Sequence, residues 1–165
     1  MTSAPTLNLD VDIAAQTLIV RDEAGSVVFE TLVSTARKGA GEVINSECTP
    51  RGRHVIRAKI GAGQPVNTVF ISRRPTGEIY SSALRALHPE RDWILTRILW
   101  LSGLEPGRNR LGNVDTMRRF VYIHGCPDED PMGVPGSRGC IKMRNRDIVE
   151  LFDRVSPGTL VYIRV

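Results

Sequence analysis

Residues 120–155, FVYIHGCPDEDPMGVPGSRGCIKMRNRDIVELFDRV, contain three local patterns in succession. The first six residues are rich in β-branched and aromatic side chains, which predicts a strand. A loop rich in glycine and proline follows and ends at Cys140. Beyond it, apolar residues recur at the i, i+3, i+4 and i+7 spacing of a helix: Ile148, Leu151, Phe152 and Val155. The stretch therefore predicts a strand, a loop and a helix, with Asn145 as the helix cap.

Short strand-like runs account for much of the remaining chain. They are residues 7–13, 16–20, 27–33, 54–60, 67–73 and 159–165. Residues 22–26 (DEAGS) and 75–78 (PTGE) are typical of turns, and residues 34–53 of a long loop. The apolar residues of 89–103 (PERDWILTRILWLSG) have spacings that predict a long helix ending at Gly103. The sequence thus predicts a mainly β protein with a few helices.

Length and composition predict one ordinary folded domain over residues 1–165. The 41% apolar and 24% charged residues are near the globular average. The first twenty residues contain no Lys or Arg and no apolar run of signal-peptide length. No apolar stretch reaches the length of about 18 residues that spans a bilayer. We expect a cytoplasmic protein without a membrane span, or a periplasmic one if a leader has been removed.

The net charge of +4 does not predict a nucleic-acid partner, because the arginines are scattered and only 5% of the residues are aromatic. Five basic residues near the glycine-rich loop either form a solvated face or meet substrate carboxylates. They are Arg118, Arg119, Lys142, Arg144 and Arg146.

Cys48, Cys126 and Cys140 form no CxxC pair, which argues against both a disulfide framework and a four-ligand zinc site. His124 and Cys126 with the distant Cys140 do not have a familiar metal-ligand spacing, and no fourth ligand is evident. We therefore predict no metal and no cofactor. His54 and His88 have no partner nearby in the sequence and are interpreted as structural or solvated.

Cys140 and His124 form a candidate nucleophile and base, because a thiol becomes reactive when an imidazole removes its proton. His124 ends a predicted strand, and Cys140 precedes the predicted helix, whose N-terminus would favour a thiolate. Gly139 would let a substrate carbonyl approach the main chain, and the carbonyl of Gly125 is free to orient the imidazole.

Residues 123–147 resemble the signature of the L,D-transpeptidase catalytic domain family, also called YkuD. The matching positions are His124, Gly125, Gly133, Ser137, Arg138, Gly139, Cys140, Ile141, Lys142, Met143, Asn145 and Asp147. Further similarity lies in a TP-x-G turn at residues 49–52, an ST turn at 34–35 and the closing GTLVYI at 158–163. Two positions depart from the common pattern: many members have His in place of Arg138, and Thr or Ser in place of Cys126.

The resemblance implies a β-sandwich-like fold and a two-step acyl transfer. His124, oriented by Gly125, deprotonates Cys140, which attacks the carbonyl of an L-centre and releases a terminal D-amino acid. The backbone N–H groups of Gly139 and Cys140 are expected to hold the oxyanion. Two further side chains of the motif are expected to serve oxyanion or substrate binding: Arg138 and Ser137.

The implied substrate is a peptidoglycan stem peptide or muropeptide. The favoured activity is that of an L,D-carboxypeptidase, which removes the terminal D-alanine from muropeptide tetrapeptides during cell-wall recycling. The alternative is an L,D-transpeptidase that crosslinks peptidoglycan or exchanges its D-amino acids. A silent binding module of the same fold predicts loss of Cys140 or His124, and both are present. The oligomeric state is not predicted.

Overall fold

The structure, a computed structural model, describes residues 5–165. These residues contain ten strands: β1 (Asn8–Asp12), β2 (Thr17–Arg21), β3 (Val27–Leu32), β4 (Gly52–Ile60), β5 (Thr68–Ile71), β6 (Arg74–Ile79), β7 (Ile94–Gly103), β8 (Tyr122–Cys126), β9 (Ile141–Arg144) and β10 (Leu160–Arg164). They also contain two α-helices and a short 3-10 helix: α1 (Ser82–Leu87), α2 (Asn145–Arg154) and Gly112–Val114. The prediction of a mainly β protein with a few helices is confirmed.

The strands hydrogen-bond into one sheet in the order β3-β2-β1-β10-β4-β7-β5-β6, and β8 pairs with β7 and with β9. Two pairings, β1 with β10 and β8 with β9, are parallel, and the others are antiparallel. One main core is shared by β1, β2 and β10 at one side of the sheet and by β7, β8, β9 and α2 at the other. The sheet therefore curls over its own apolar face, which gives the two packed layers expected of a sandwich-like fold.

Strands β8 and β9 position the motif by simple alternation of their side chains. Ile123, Ile141 and Met143 are fully buried in the main core. Because successive side chains of a strand point to opposite faces, the neighbours at positions 122, 124, 140 and 142 project from the other face. Tyr122 and Cys140 accordingly pack in a separate, smaller apolar cluster.

The helix predicted over residues 89–103 is wrong, because this segment forms β7. β7 lies inside the sheet between β4 and the strands β5 and β8, so nearly all its side chains are buried on both faces. A strand buried on both faces lacks the alternation that marks a strand in a sequence. The helix α1 was not predicted. It is capped by Ser81, whose Oγ accepts a hydrogen bond from Leu84 N at 3.1 Å. Neither α-helix in residues 5–165 has the length and apolar character needed to cross a membrane.

The turn predicted at residues 75–78 is displaced, because these residues lie within β6. The chain reverses earlier, at Ser72 and Arg73, whose φ angles of 49° and 65° are left-handed. This reversal brings Arg73 beside Phe120 and Tyr122, next to the predicted nucleophile. The loop predicted over 34–53 contains no strand until β4 begins at Gly52.

Asn145 is the first residue of α2 and not its cap, which corrects the prediction. Its side chain is buried and bridges several segments. It donates to Cys126 O at 2.9 Å and to Asp128 Oδ1 at 3.0 Å, and it accepts from Thr96 Oγ1 at 2.5 Å. Thr96 lies at the bulge of β7 with a left-handed φ of 74°. Asn145 therefore joins the bulge of β7 to the end of β8.

Candidate active site

His124 lies in the middle of β8 and is almost completely buried. Its Nδ1 is 2.6 Å from the carbonyl oxygen of Gly125, so Nδ1 carries the proton and donates it to that carbonyl. Nε2 is then left with a free lone pair. Burial lowers the pKa of His124, and the Asp92 carboxylate and the Gly125 carbonyl oppose this shift. The imidazole is therefore neutral at pH 7 and able to accept a proton.

Gly125 is required by the space around it. A β-carbon at this position would lie 2.6 Å from both Leu95 O and Asn145 Oδ1. Both contacts are shorter than any ordinary carbon–oxygen contact, and one of them is with the backbone of β7. Any side chain here would push β8 away from β7 and α2, and with it the carbonyl that orients His124.

Cys140 immediately precedes β9 and lies beside Tyr122. The parallel register of Ile123 with Ile141 places it there, and the Tyr122 N–H points at its sulfur, with N and Sγ 3.3 Å apart. The same register pairs His124 with Lys142. Cys140 and His124 are thus diagonal neighbours on one face across β8 and the start of β9.

The Cys140 thiol is protonated in the resting protein. Burial raises its pKa to about 12, and the Tyr122 N–H, Arg119 and Lys142 offset only part of this effect. The Asp92 carboxylate raises the pKa further. The predicted contribution of the helix N-terminus to a thiolate is wrong, because β9 separates Cys140 from α2. The site therefore holds a neutral thiol and a neutral imidazole.

Ser137 and Gly139 shape the loop that presents Cys140. Ser137 Oγ accepts from the Gly139 N–H at 3.1 Å and donates to the Cys140 carbonyl at 2.5 Å. Gly139 has a φ of 131°, and a β-carbon there would lie 3.2 Å from Cys48 O. The Gly139 N–H, predicted as an oxyanion donor, is thus already occupied. The Cys140 N–H has no hydrogen-bond partner within residues 5–165.

Two adjacent cavities lie near the motif, and one of them is lined by Cys140. The first, of about 400 Å³, is called the thiol cavity, and its wall includes Arg73, Asp92, Phe120, Tyr122, Arg138 and Cys140. The second, of about 310 Å³, is called the basic cavity, and its cationic wall residues are Arg37, Lys38, Arg85, Arg91, Arg138 and Lys142. Asp92 and Arg138 line both cavities, so the two are adjacent, and together they are called the groove. The groove brings Arg138, predicted from the motif, next to Cys140.

Arg73 is a groove residue that no sequence pattern indicated. Its guanidinium lies between two aromatic rings, 4.8 Å from the centre of Trp100 and 4.6 Å from that of Phe120. It also donates to Tyr122 Oη at 2.9 Å. These contacts fix the tip of the β5–β6 hairpin over the thiol cavity. Only Tyr122 could have been found in the sequence, because it precedes His124 by two residues and so shares its face of β8.

The five basic residues flagged in the sequence do not act as one surface. Arg119 is half-buried and donates to Cys48 O at 2.7 Å and to Ser46 Oγ at 3.3 Å, so it holds the loop that contacts Gly139. Lys142 pairs with Asp130 at 3.0 Å. Arg146 is 83% exposed and lies outside both cavities.

The other cysteines and histidines differ from the central pair. Cys126 is fully buried, donates to Met143 O at 3.3 Å and has a pKa raised to about 12 by burial, so its thiol is unreactive at neutral pH. Cys48 lies in the loop held by Arg119. His54 is fully buried between Gly52 O and Thr116 Oγ1, which is a structural role. No cluster of three His, Cys, Asp or Glu side chains within residues 5–165 is arranged to hold a metal ion.

Comparisons with known proteins agree with this architecture. Comparison with curated proteins gives no significant match. Among solved structures, an L,D-transpeptidase from Mycobacterium smegmatis is similar at 21% identity, with a TM-score of 0.62 over 98% of this chain and 59% of that one. L,D-transpeptidase 3 from Mycobacterium tuberculosis, in complex with a faropenem-derived adduct, is 15% identical, with a TM-score of 0.60 over 98% and 61%. An Enterococcus faecium L,D-transpeptidase mutant is 18% identical, with a TM-score of 0.55 over 98% and 50%.

The present chain thus spans between half and about three fifths of the length of these three proteins. At such low sequence identity, the structural similarity to these proteins supports only the assignment of the fold. The family model described as the L,D-transpeptidase catalytic domain, YkuD, matches residues 8–163. Since that match runs from the first residue of β1 into β10, the chain belongs to the L,D-transpeptidase catalytic domain family.

Proposed function

We propose that this protein is a cysteine-dependent acyl-transfer enzyme that acts on peptidoglycan stem peptides, with Cys140 as nucleophile and His124 as base. One observation carries the proposal: the Cys140 thiol lines an open cavity and lies diagonally across adjacent strands from a buried, neutral imidazole. The hydrogen bond to Gly125 fixes that imidazole in the tautomer a general base requires.

In the first step, His124 Nε2 takes the proton of Cys140 Sγ as the sulfur attacks the carbonyl carbon of the donor peptide. The carbonyl π electrons move to oxygen, and the Cys140 N–H is the donor available to that oxyanion. Collapse of the adduct breaks the peptide bond. The imidazolium proton passes to the leaving nitrogen, and an acyl-enzyme with a thioester at Cys140 remains.

The groove suits a substrate with several carboxylates. Arg138 lines both cavities and makes no ion pair within residues 5–165, so its guanidinium is available to a ligand. Arg37 in the basic cavity is also without an ion-pair partner there. A stem peptide ending in a D-amino acid offers a terminal carboxylate at the bond that is cleaved, and guanidinium groups bind carboxylates in bidentate fashion.

Either of two acceptors completes the reaction. Attack by water gives an L,D-carboxypeptidase that releases the terminal D-alanine of muropeptide tetrapeptides, and this is the activity we favour. Attack by an amine gives transpeptidation or exchange of the D-amino acid. A cytoplasmic role in wall recycling stays a prediction, which cell fractionation with an antibody against the protein would test.

The proposal is tested by mass spectrometry of a disaccharide tetrapeptide and a free tetrapeptide after incubation with the reduced protein. We expect the wild type to release one D-alanine and Cys140→Ala to release none. Cys48→Ala is the matched control, since it removes another thiol that lies outside the thiol cavity, and it should remain active. Absence of any product from the folded wild type would contradict the proposal.

A second measurement reports acylation without the natural substrate. Because a related protein is described in complex with a faropenem-derived adduct, we expect faropenem to form a covalent adduct here. Intact-mass analysis should show one adduct on the wild type and on Cys48→Ala, and none on Cys140→Ala. A tryptic peptide carrying the adduct on Cys48 or Cys126 would overturn the assignment of the nucleophile.

A further inference from the structure

Asp92 differs from the other carboxylates of the groove in having no partner. In the basic cavity, Glu47 pairs with Lys38 at 2.9 Å, and Asp130 pairs with Arg85 at 2.8 Å and with Lys142 at 3.0 Å. Asp92 lines both cavities but makes no hydrogen bond or ion pair within residues 5–165. Its neighbour Arg91 is paired with Glu78 at 2.8 Å. An exposed, unpartnered carboxylate therefore projects where the two cavities meet.

This carboxylate acts on both members of the reactive pair. Its negative charge raises the pKa of the Cys140 thiol, so it makes the thiolate harder to form. It also raises the pKa of His124, which makes the imidazole a stronger base. Because these two effects offset each other in proton transfer from Cys140 to His124, activation of the nucleophile does not account for this charge. Because Glu47 and Asp130 are paired with cations, Asp92 is the carboxylate of the groove that is left to bind a ligand's ammonium.

We propose that Asp92 binds the ammonium or amine group of the amino acid that accepts the acyl group, and so determines how well amines compete with water. This inference rests on the proposed function, because it concerns the fate of the same acyl-enzyme. The unpaired Arg138 guanidinium lines the same two cavities. Asp92 and Arg138 together offer opposite charges to a zwitterion, so a free D-amino acid is the acceptor class that fits.

The step balances without any further reactant. Asp92 attracts the amine as its ammonium form, which gives up one proton to solvent before it attacks. The nitrogen lone pair then forms a C–N bond with the thioester carbonyl, and His124 Nε2 accepts the second proton. The C–S bond breaks, and the proton passes from His124 to sulfur, which regenerates the Cys140 thiol. Hydrolysis follows the same course with water as the nucleophile, and water does not need the negative charge of Asp92.

The test is the ratio of exchange to hydrolysis on one acyl-enzyme. A tetrapeptide ending in D-alanine is incubated with D-methionine, and the tripeptide and the D-methionine product are quantified by mass spectrometry. Acylation rates cancel in this ratio. Asp92→Asn keeps the shape of the side chain and removes its charge, and we expect the ratio to fall about tenfold, as for loss of one charge-assisted hydrogen bond. Glu90→Gln is the control, because it removes a charge nearby on the chain but outside both cavities.

A second acceptor distinguishes the role of the Asp92 charge from that of the Arg138 charge. With D-methionine amide, which has the ammonium but no carboxylate, Asp92→Asn should still lower the ratio. An unchanged ratio in Asp92→Asn would overturn the inference, and so would slower acylation with an unchanged ratio, which would assign Asp92 to the donor. Hydrolysis without exchange in the wild type would also overturn it while leaving the proposed function intact. Failure of the wild type to form any acyl-enzyme would instead refute the proposed function.

Discussion

At the scale of single residues, the resting site is a pair of neutral groups. Burial lowers the pKa of His124 and raises that of Cys140 to about 12. A preformed thiolate–imidazolium pair would require the opposite shifts. In the proposed mechanism, proton transfer must therefore accompany attack on the substrate, and His124 has to be positioned accurately. The contact between His124 Nδ1 and Gly125 O provides that accuracy.

The reactivity of Cys140 towards iodoacetamide should rise with pH throughout the range from 6 to 10. Because the thiol pKa is raised, each unit of pH increases the small thiolate fraction about tenfold until the pKa is approached. Peptide mapping distinguishes Cys140 from Cys48. A rate that is constant between pH 6 and 8 would indicate a preformed ion pair and contradict this description.

Gly125→Ala should destabilise the protein by about 1–3 kcal/mol, since the added methyl group overlaps Leu95 O and Asn145 Oδ1. Urea denaturation measures the free energy of unfolding. Gly25→Ala is the comparison, because its β-carbon meets nothing within 4 Å and only its left-handed φ of 82° is unfavourable. Equal losses in the two variants would show that the space around Gly125 is not restrictive.

The candidate site residues that could be proposed from the sequence lie within one contiguous motif. His124, Arg138 and Cys140 could be selected because a 25-residue stretch resembles a family signature. Asp92 and Arg73 could not, because they approach Cys140 only through the pairing of β5 with β7 and the turn at Ser72. The engagement of the Gly139 N–H by Ser137 also depends on side-chain rotation that a sequence pattern does not encode.

At the scale of elements, the bulge of β7 connects the sheet to the site. The register of β7 with β8 shifts between Leu95 and Ile98, and Thr96 occupies the bulge with its hydroxyl donating to Asn145. The prediction of a helix for this segment failed because burial on both faces removed the alternation of a strand. The runs that became β1 and β2 were predicted correctly, since their burial alternates strictly.

Asn145→Ala should cost about 2–4 kcal/mol of stability, because it removes the buried acceptor of the Thr96 hydroxyl and a buried donor to Cys126 O. Thermal or urea denaturation measures the loss. Arg146→Ala is the matched control at the next position of α2, where the side chain is 83% exposed. A loss below 0.5 kcal/mol in Asn145→Ala would show that water replaces these contacts.

At the scale of the whole molecule, folding prevents His54 from binding a proton between about pH 6.5 and pH 4. His54 lies on β4 and is fully buried, and burial lowers its pKa to about 4. The unfolded chain takes up a proton near pH 6.5, and the folded protein does so only near pH 4. The contribution of His54 to the free energy of unfolding should therefore be fully present above pH 6.5. It should decrease by about 3 kcal/mol as the pH falls to 4.

The pH profile of unfolding checks this expectation. His54→Gln has no group that titrates at this position, so its stability should fall less steeply than that of the wild type between pH 6.5 and 4. His124 contributes a loss in the same direction, so the variant keeps part of the slope. Parallel profiles for the two proteins would show that folding does not lower the pKa of His54.

The overall topology was harder to predict from the sequence than the strands themselves. β1 pairs in parallel with β10, 152 positions away at Asn8 and Leu160, and no local pattern specifies such a partner. The mainly β class followed from composition and alternation, whereas the sandwich-like arrangement came from the family resemblance. The single curled sheet that produces it is a property of long-range pairing.

The diagonal placement of His124 and Cys140 has a consequence for protein engineering. The relative position of the two side chains is set by the hydrogen-bond ladder between β8 and β9 and not by the chain that joins them. The connecting segment is exposed at Val134 and Pro135. Extra residues there would lengthen the connection without shifting the ladder. We therefore expect residues inserted between Val134 and Pro135 to leave the reactive pair in place when the hydrogen bond from Ser34 Oγ to the Val134 carbonyl is kept.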